Sequence, residues 1–121
     1  MKYDEDNIFA KILRGEIPCD KIYEDEFVLS FYDINPQKKI HALVIPKGKY
    51  VDLDDFNTNA SHDEIVGLMK GITIVSKKLG VSSIDGKGYR ALANISEDGG
   101  QEVPHLHFHL FGGEKVGKMV L

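Results

Sequence analysis

The sequence predicts an α+β protein with an antiparallel sheet of about five strands, one long helix and one short helix. Apolar runs of strand length cluster before and after a single long amphipathic segment, which favours this fold class. The 121 residues contain no internal repeat and no low-complexity linker, and 42% of them are hydrophobic. This length and composition suit a single compact domain over residues 1–121.

Composition and charge exclude several classes of protein. The formal net charge is −4, so no basic field attracts a nucleic-acid backbone, although one local phosphate site is compatible with it. No apolar run approaches the roughly 18 residues of a membrane span, and the acidic N-terminus is unlike a signal peptide. Cys19 is the only cysteine, which excludes an intramolecular disulfide and a cysteine-based zinc site. We therefore expect a cytoplasmic protein without nucleic-acid or membrane partners.

A short helix is expected near the N-terminus. Asp6 or Asn7 is a suitable N-cap, and Gly15 with Pro18 ends the helix after Leu13. The apolar residues expected on its buried face are Ile8, Phe9 and Ile12.

Three strands are expected to follow this helix. Residues 21–24 and 27–33 are separated by the acidic pair Asp25–Glu26, which predicts a hairpin with a tight turn. After a loop at residues 35–39, the run HALVIP at residues 41–46 predicts a mostly buried strand that ends at its proline.

The long helix has the clearest local signals. Ser61 and Glu64 fit an S-x-x-E capping box, and Gly80 is a suitable C-terminal stop. Two further strands are expected at residues 89–95 and 105–111. The apolar residues that follow helical spacing and predict a core-facing stripe are Ile65, Leu68, Met69, Ile72, Val75 and Leu79.

Three histidines alternate with apolar residues in the run HLHFHLF at residues 105–111. Side chains at every second position of a strand point to one face, about 6.5–7 Å apart along the strand. The histidines are therefore expected to line one face of the sheet while the apolar residues pack on the other. The three histidines are His105, His107 and His109.

Three interpretations of this histidine row are open. Strand histidines are often solvated surface groups, and imidazoles also bind zinc, although one strand needs a further ligand such as His41 to hold one ion. The third interpretation is nucleophilic catalysis at phosphorus, because an imidazole with an ordinary pKa of about 6.5 is a good nucleophile near neutral pH. The nearby pair Gly99–Gly100 permits close backbone approach, and its N–H groups suit phosphate oxygens.

The third interpretation agrees with a resemblance to a known family. HLHFHLF matches the His-φ-His-φ-His-φ-φ motif of the histidine-triad superfamily, in which φ is hydrophobic. Further segments resemble the Hint branch of that superfamily in the same order and at similar spacing. The similarity covers nearly the whole chain and is least diagnostic at residues 47–87. The segments are IFAKILRGEIP (8–18), FYDINPQ (31–37), HALVIPK (41–47), GYRALAN (88–94) and DGGQEVPHLHFHLFGG (98–113).

The resemblance implies an α+β homodimer that binds purine nucleotides such as AMP or GMP. It also implies hydrolysis of purine nucleoside 5′-phosphoramidates without a cofactor. By position, His107 matches the nucleophile that forms a nucleotidyl-histidine intermediate, His109 a contact to the α-phosphate, and His105 the member that orients the others. His41 matches a further histidine near the site. The substrate contacts implied are Asp33, Ile34, Asn94, Gly100, Gln101, Glu102, His107 and His109.

The chain departs from the family pattern at several places, among them Pro104, which replaces an aromatic residue often found before the triad. Glu102 stands where some members carry serine; glutamate occurs there in many bacterial relatives, which points to a bacterial source. Its charge is expected to disfavour direct contact with a phosphate oxygen. Asn7 and Ala10 stand where zinc-binding members carry a Cys-x-x-Cys pair, so we expect no metal.

Other functions remain open at the level of the sequence. The same superfamily contains dinucleoside polyphosphate hydrolases, and a nucleotide-binding regulatory protein with little catalysis is also compatible with the motifs. A histidine metal-binding module is a third alternative. The C-terminal tail at residues 113–121 differs from tails associated with a well-defined substrate preference, so the leaving group is not predicted.

Overall fold

The computed structural model describes residues 2–118, in which five strands form one open antiparallel sheet. The strand order is β1-β2-β3-β5-β4, with every neighbouring pair antiparallel, which confirms the predicted α+β class. Met1 and the end of the tail, residues 119–121, lie outside the described residues. The strands are β1 Lys21–Glu24, β2 Val28–Tyr32, β3 Ile40–Pro46, β4 Arg90–Leu92 and β5 Phe108–Gly112. The helices in this part of the chain are α1 Ile8–Leu13, α2 Leu53–Asn59 and α3 His62–Lys78.

Helix α1 begins at the predicted cap but presents a different face. The Asn7 side chain accepts a hydrogen bond of 2.9 Å from the backbone N–H of Ala10. Phe9 is buried and its ring packs edge-on against Phe31, with 5.7 Å between the centroids. The prediction that Ile8 is buried is wrong, because this contact turns Phe9 toward the sheet and leaves Ile8 41% exposed.

The predicted hairpin turn is present and has a side-chain acceptor at its centre. The Asp25 carboxylate accepts hydrogen bonds from the backbone N–H groups of Phe27 and Val28, at 2.8 and 2.9 Å. An aspartate that accepts from nearby backbone donors stabilises a tight turn. Strand β2 is one residue shorter at each end than the predicted run.

The structure contains a helix, α2, that the sequence analysis did not predict. It has seven residues and buries fully only Phe56, so it carries no apolar period. Its one local signal is the N-cap, where the Asp52 side chain accepts a hydrogen bond of 2.8 Å from the Asp55 backbone N–H.

Helix α3 begins as predicted, with both reciprocal hydrogen bonds of the Ser61–Glu64 capping box. It ends at Lys78, and the C-cap Leu79 is followed by Gly80 with a φ of +73°. Met69 is 47% exposed, so its prediction as a core residue is wrong. The helix faces the sheet through Gly71, which packs directly on Val28 and rotates Met69 to the flank. The stripe residues that are buried are Leu68, Ile72 and Val75.

Strand β3 separates two hydrophobic clusters. Ala42 and Val44 point to the cluster under α3, whereas Leu43 and Ile45 point to the cluster that contains Phe9. This alternation follows from the two-residue period of a strand. None of the helices within residues 2–118 is long and apolar enough to cross a membrane.

The last two strands are shorter than predicted. Strand β5 begins at Phe108, so only one of the three histidines lies within it. The pairing of β3 with β5 stops at Val44 and Phe108. The backbone N–H of Leu106 donates instead to the backbone oxygen of Tyr50. The predicted alternation nevertheless extends through the segment, since Leu106 and Leu110 are both buried in the cluster under α3.

Candidate active site

Three histidines, His41, His107 and His109, converge on one cavity of about 370 Å³ at the face of the sheet opposite α3. A volume of this size lies within the range of about 300–1,000 Å³ that is usual for small-ligand sites. Strand β3 contributes His41 to the cavity and β5 contributes His109, while His107 lies just before β5. The residues that line it are Phe9, Asp33, Asn35, Gln37, His41, Leu43, Leu92, Asn94, Gly100, Glu102, Val103, His107, His109 and Phe111.

The orientation of His107 follows from a hydrogen bond to the backbone. Its Nδ1 atom lies 2.7 Å from the backbone oxygen of His105. A carbonyl oxygen only accepts hydrogen bonds, so Nδ1 carries the proton and Nε2 carries the free lone pair. The Phe9 ring packs edge-on against this imidazole, with 4.9 Å between the centroids. In this tautomer Nε2 of His107 carries no proton, as a nucleophilic nitrogen requires.

A second hydrogen-bonded chain sets the tautomer of His109. The backbone N–H of Gln37 donates to Nδ1 of His41 at 3.0 Å, which places the His41 proton on Nε2. That Nε2 lies 2.9 Å from Nδ1 of His109 and donates to it. His109 therefore carries its own proton on Nε2. The rings of His107 and His109 are 5.0 Å apart, so a lone pair and an N–H donor stand side by side.

His105 is fully buried behind the cavity and does not line it. Its Nε2 atom lies 2.9 Å from the backbone oxygen of Pro46 and donates to it. Its Nδ1 atom accepts from the Tyr3 hydroxyl at 2.6 Å. Both ring nitrogens are paired within the protein, so His105 contributes to the site through its backbone oxygen.

Burial keeps the site histidines neutral. Burial lowers the pKa of His105 and of His109 to about 4, and for His109 the neighbouring imidazoles add to the effect. Burial also lowers the pKa of His107 and of His41, against the opposing influence of Asp33. At neutral pH the lone pair of His107 is therefore available.

Four of the six non-histidine residues expected to contact substrate line the cavity. They are Asp33, Asn94, Gly100 and Glu102. Asp33 also lies beside His41, with 3.4 Å between its Oδ2 atom and Nε2 of the imidazole.

The other two expected substrate contacts, Ile34 and Gln101, are absent from the cavity lining. Ile34 is 85% exposed. The Gln101 amide donates to the backbone oxygens of Val51 and Val103 and accepts from the N–H of Ser96. Gln101 therefore ties its own loop to the rest of the protein, and substrate contact by either residue stays a prediction.

Apolar side chains that the sequence did not single out form the cavity walls. Phe111 lies parallel to His109, with 2° between the ring planes and 5.7 Å between the centroids. It also lies 4.3 Å from the His41 ring. Leu43 and Leu92 complete this wall from the neighbouring strands. Phe111 sits two residues after the last histidine, and this position in the alternating row was the available signal.

The cavity has a negative electrostatic character. Two carboxylates, Asp33 and Glu102, line it, and no lysine or arginine within residues 2–118 does so. The carboxylates of both residues act to raise the pKa of His107 against the effect of burial. An anionic ligand therefore gains its contacts here from N–H groups rather than from side-chain cations.

One group in the described part of the chain has the composition of a metal site. One donor atom from each of Asp33, His41 and His109 lies within 4.8 Å of the others. An ion bound there replaces the proton that His41 donates to His109, because both need the same nitrogen atoms. Asn7, at a position where some family members carry a metal-binding cysteine, instead caps α1. The expected absence of metal stays a prediction.

An antiparallel sheet that delivers alternate histidines to one cavity is the architecture of a histidine-triad protein. The sequence model of the HIT domain matches residues 14–116. This chain therefore belongs to the HIT family.

Similar proteins cover nearly the full length of the chain. An uncharacterized HIT-like protein of Azospirillum brasilense is 52% identical over 118 residues, which is 98% of this chain and 94% of the relative. The purine nucleoside phosphoramidase of Escherichia coli K12 is 41% identical over 116 residues, 96% of this chain and 94% of that enzyme. The solved structure of a HIT family hydrolase from Clostridium thermocellum has a TM-score of 0.85 at 36% identity, covering 98% of this chain and 99% of its own.

Proposed function

We propose that this protein hydrolyses purine nucleoside 5′-phosphoramidates through a nucleotidyl-histidine intermediate. The observation that carries the proposal is the pairing of tautomers, with a free lone pair on Nε2 of His107 beside an N–H donor on Nε2 of His109. Membership of the HIT family and the similarity to a purine nucleoside phosphoramidase support the same chemistry.

The reaction proceeds in two displacements at the α-phosphorus. The Nε2 atom of His107 bonds to phosphorus as the P–N bond to the amine breaks, and the departing nitrogen takes a proton from water. The hydroxide left by that water then bonds to phosphorus, the bond to His107 breaks with its electron pair returning to Nε2, and a nucleoside monophosphate leaves. Throughout, the Nε2–H group of His109 donates to a phosphate oxygen. Splitting one difficult step into two easier steps is the advantage of a covalent intermediate.

The remaining cavity residues are assigned to the nucleoside. A carboxylate accepts hydrogen bonds from hydroxyl groups, so we assign the ribose to Asp33. The purine base is assigned to the apolar wall of Leu43, Leu92 and Phe111. The proposal includes a homodimer that binds AMP or GMP conjugates in the cytoplasm, which rests on the family resemblance alone.

Hydrolysis of dinucleoside polyphosphates is the second candidate, since it uses the same nucleophile. The charges of the cavity favour the first candidate. A polyphosphate leaving group carries several negative charges into a site that already holds Asp33 and Glu102, whereas an amine leaving group brings none.

Mass spectrometry of protein quenched rapidly during turnover tests the proposal, with adenosine 5′-phosphoramidate as the substrate. We expect an adenylyl adduct on His107, and its absence together with loss of turnover in His107→Ala. The matched control is His62→Ala, because His62 is exposed at the start of α3. Full turnover by His107→Ala overturns the assigned nucleophile. Turnover of diadenosine polyphosphates alone selects the second candidate.

A further inference from the structure

The N-terminal segment lies against the buried side of the histidine triad. We define residues 2–6 as the N-terminal strap; they precede the part of the chain that the HIT domain matches. Within the strap, the Tyr3 hydroxyl lies 2.6 Å from Nδ1 of His105. The two rings meet edge-on, with 5.6 Å between the centroids and 73° between the planes.

The direction of this hydrogen bond is determined by the other side of the ring. Nε2 of His105 donates to the Pro46 oxygen, so Nδ1 holds a lone pair and the Tyr3 hydroxyl must donate. His105 is fully buried, and a buried acceptor that loses its donor is costly. The hydroxyl of Tyr3 is thus the partner of an otherwise uncompensated nitrogen.

Other contacts of the strap hold it in place. The Glu5 carboxylate pairs with Nζ of Lys49 at 2.9 Å, just after the strand whose Pro46 accepts from His105. The Glu5 backbone oxygen accepts from the guanidinium of Arg14 at 2.8 Å. The strap is therefore joined both to α1 and to the end of β3, the two elements that flank His105.

We propose that Tyr3 is a positioning residue for the histidine nucleophile. Its hydroxyl holds the His105 ring, and with it the His105 backbone oxygen that accepts from Nδ1–H of His107 at 2.7 Å. When this oxygen stays in line, the proton of His107 remains on Nδ1 and the lone pair of Nε2 faces the cavity. The kinetic part of this inference rests on the proposed function.

The test removes the one oxygen atom with Tyr3→Phe and compares the variant with Tyr23→Phe. Tyr23 is a matched control, because its hydroxyl also donates a hydrogen bond, of 2.7 Å to Asp25, in a hairpin away from the cavity. Nitrogen-15 spectra of the imidazoles report which ring nitrogen of each histidine carries the proton. Turnover of adenosine 5′-phosphoramidate and thermal unfolding are measured on the same three proteins.

We expect Tyr3→Phe to shift part of the His107 population to the Nε2–H tautomer. We also expect kcat to fall about tenfold, the scale of one hydrogen bond, with KM unchanged. Tyr23→Phe is expected to retain kcat at a comparable melting temperature. An unchanged His107 tautomer in Tyr3→Phe overturns the role of Tyr3, and so do equal losses of kcat in the two variants. Absence of turnover in the wild type defeats the proposed function, whereas the nitrogen spectra still decide the role of Tyr3.

Discussion

The Nε2 atom of His41 lies 2.9 Å from Nδ1 of His109, although 68 positions separate the two residues. The register of β3 against β5, in which Leu43 pairs with His109, brings the two side chains together. The backbone N–H of Gln37 then determines the direction of the hydrogen bond by occupying the other nitrogen of His41. His41 therefore controls which ring nitrogen of His109 carries the proton that can be donated to a ligand.

Removing this control is expected to reduce catalysis more than binding. In His41→Ala, Nδ1 of His109 loses its donor and can take the proton itself, which removes the N–H group from the cavity. We expect kcat to fall about tenfold to a hundredfold, somewhat less than complete loss of such a donor costs. Steady-state kinetics check this, and His41→Asn should recover part of the loss because its amide also donates. His62→Ala is the control, and an equal loss there contradicts the interpretation.

Gly99 and Gly100 are expected to tolerate alanine to different degrees. A Cβ atom at Gly99 would overlap the backbone oxygen of Ile95, so the loop must move. Gly100 has a φ of +77° and open space around it, so alanine there costs about 1 kcal/mol of backbone strain. We expect Gly99→Ala to raise KM and to lower the free energy of unfolding more than Gly100→Ala does. Kinetics and urea unfolding measure both, and a larger effect at Gly100 would contradict the prediction.

Glu102 is expected to influence the choice of leaving group. Glu102→Gln removes one of the two negative charges that line the cavity while keeping the shape of the side chain. We expect the ratio of diadenosine polyphosphate to phosphoramidate turnover to rise about fivefold, the scale of a ~1 kcal/mol interaction between hydrated charges. Competition assays at low salt measure the ratio. Glu97→Gln, an exposed change in the same loop outside the cavity lining, should leave it unchanged; an unchanged ratio in Glu102→Gln would refute the role.

The stability of the fold is expected to fall as the pH drops from 7 toward 4. Burial lowers the pKa of His105 to about 4, so in this range the unfolded chain binds a proton that the folded chain does not. The loss attributable to this residue is about 3 kcal/mol at most. Hydrogen bonds with Lys47 and Lys21 lower the pKa of Glu24 to about 2. Carboxylates of this kind reduce the stability further only below about pH 4.5. Urea unfolding at constant ionic strength measures the curve, and a flat profile from pH 7 to 4.5 would exclude this linkage.

Local sequence signals predicted the elements whose hydrogen bonds are local. The capping box at Ser61 and the turn at Asp25 each need only a side chain and backbone donors within three residues, so their positions were predictable. The exposed Ile8 and Met69 were not predictable in the same way. Apolar spacing gives a helical face, but the rotation of that face depends on the partner surface, here Phe31 for α1 and Val28 for α3.

The start of β5 likewise depends partly on the local sequence pattern and partly on tertiary contacts. Alternation alone predicted a strand from His105, and Leu106 and Leu110 are buried as expected, while Phe108 is partly buried. The pairing of β5 with β3 stops at Phe108 and Val44, two residues before β3 itself ends, and the Tyr50 backbone oxygen, in the following loop, supplies the acceptor for the Leu106 N–H. The local sequence pattern does not predict this acceptor, because the fold brings Tyr50 next to Leu106.

The residue pattern predicts an α+β chain with alternate histidines on one face beside a glycine-containing loop. Which nitrogen of each imidazole carries the proton is set in the folded chain. For His109 and His105 the partners are far away in the chain, 68 positions between His41 and His109 and 102 between Tyr3 and His105, whereas the partner of His107 is the His105 backbone oxygen, two positions away. An imidazole can carry its proton on either nitrogen, and its hydrogen-bond partner selects one. Residue type and spacing therefore mark these histidines as candidates, whereas the hydrogen-bond partners in the folded chain set which ring nitrogen of each offers a lone pair.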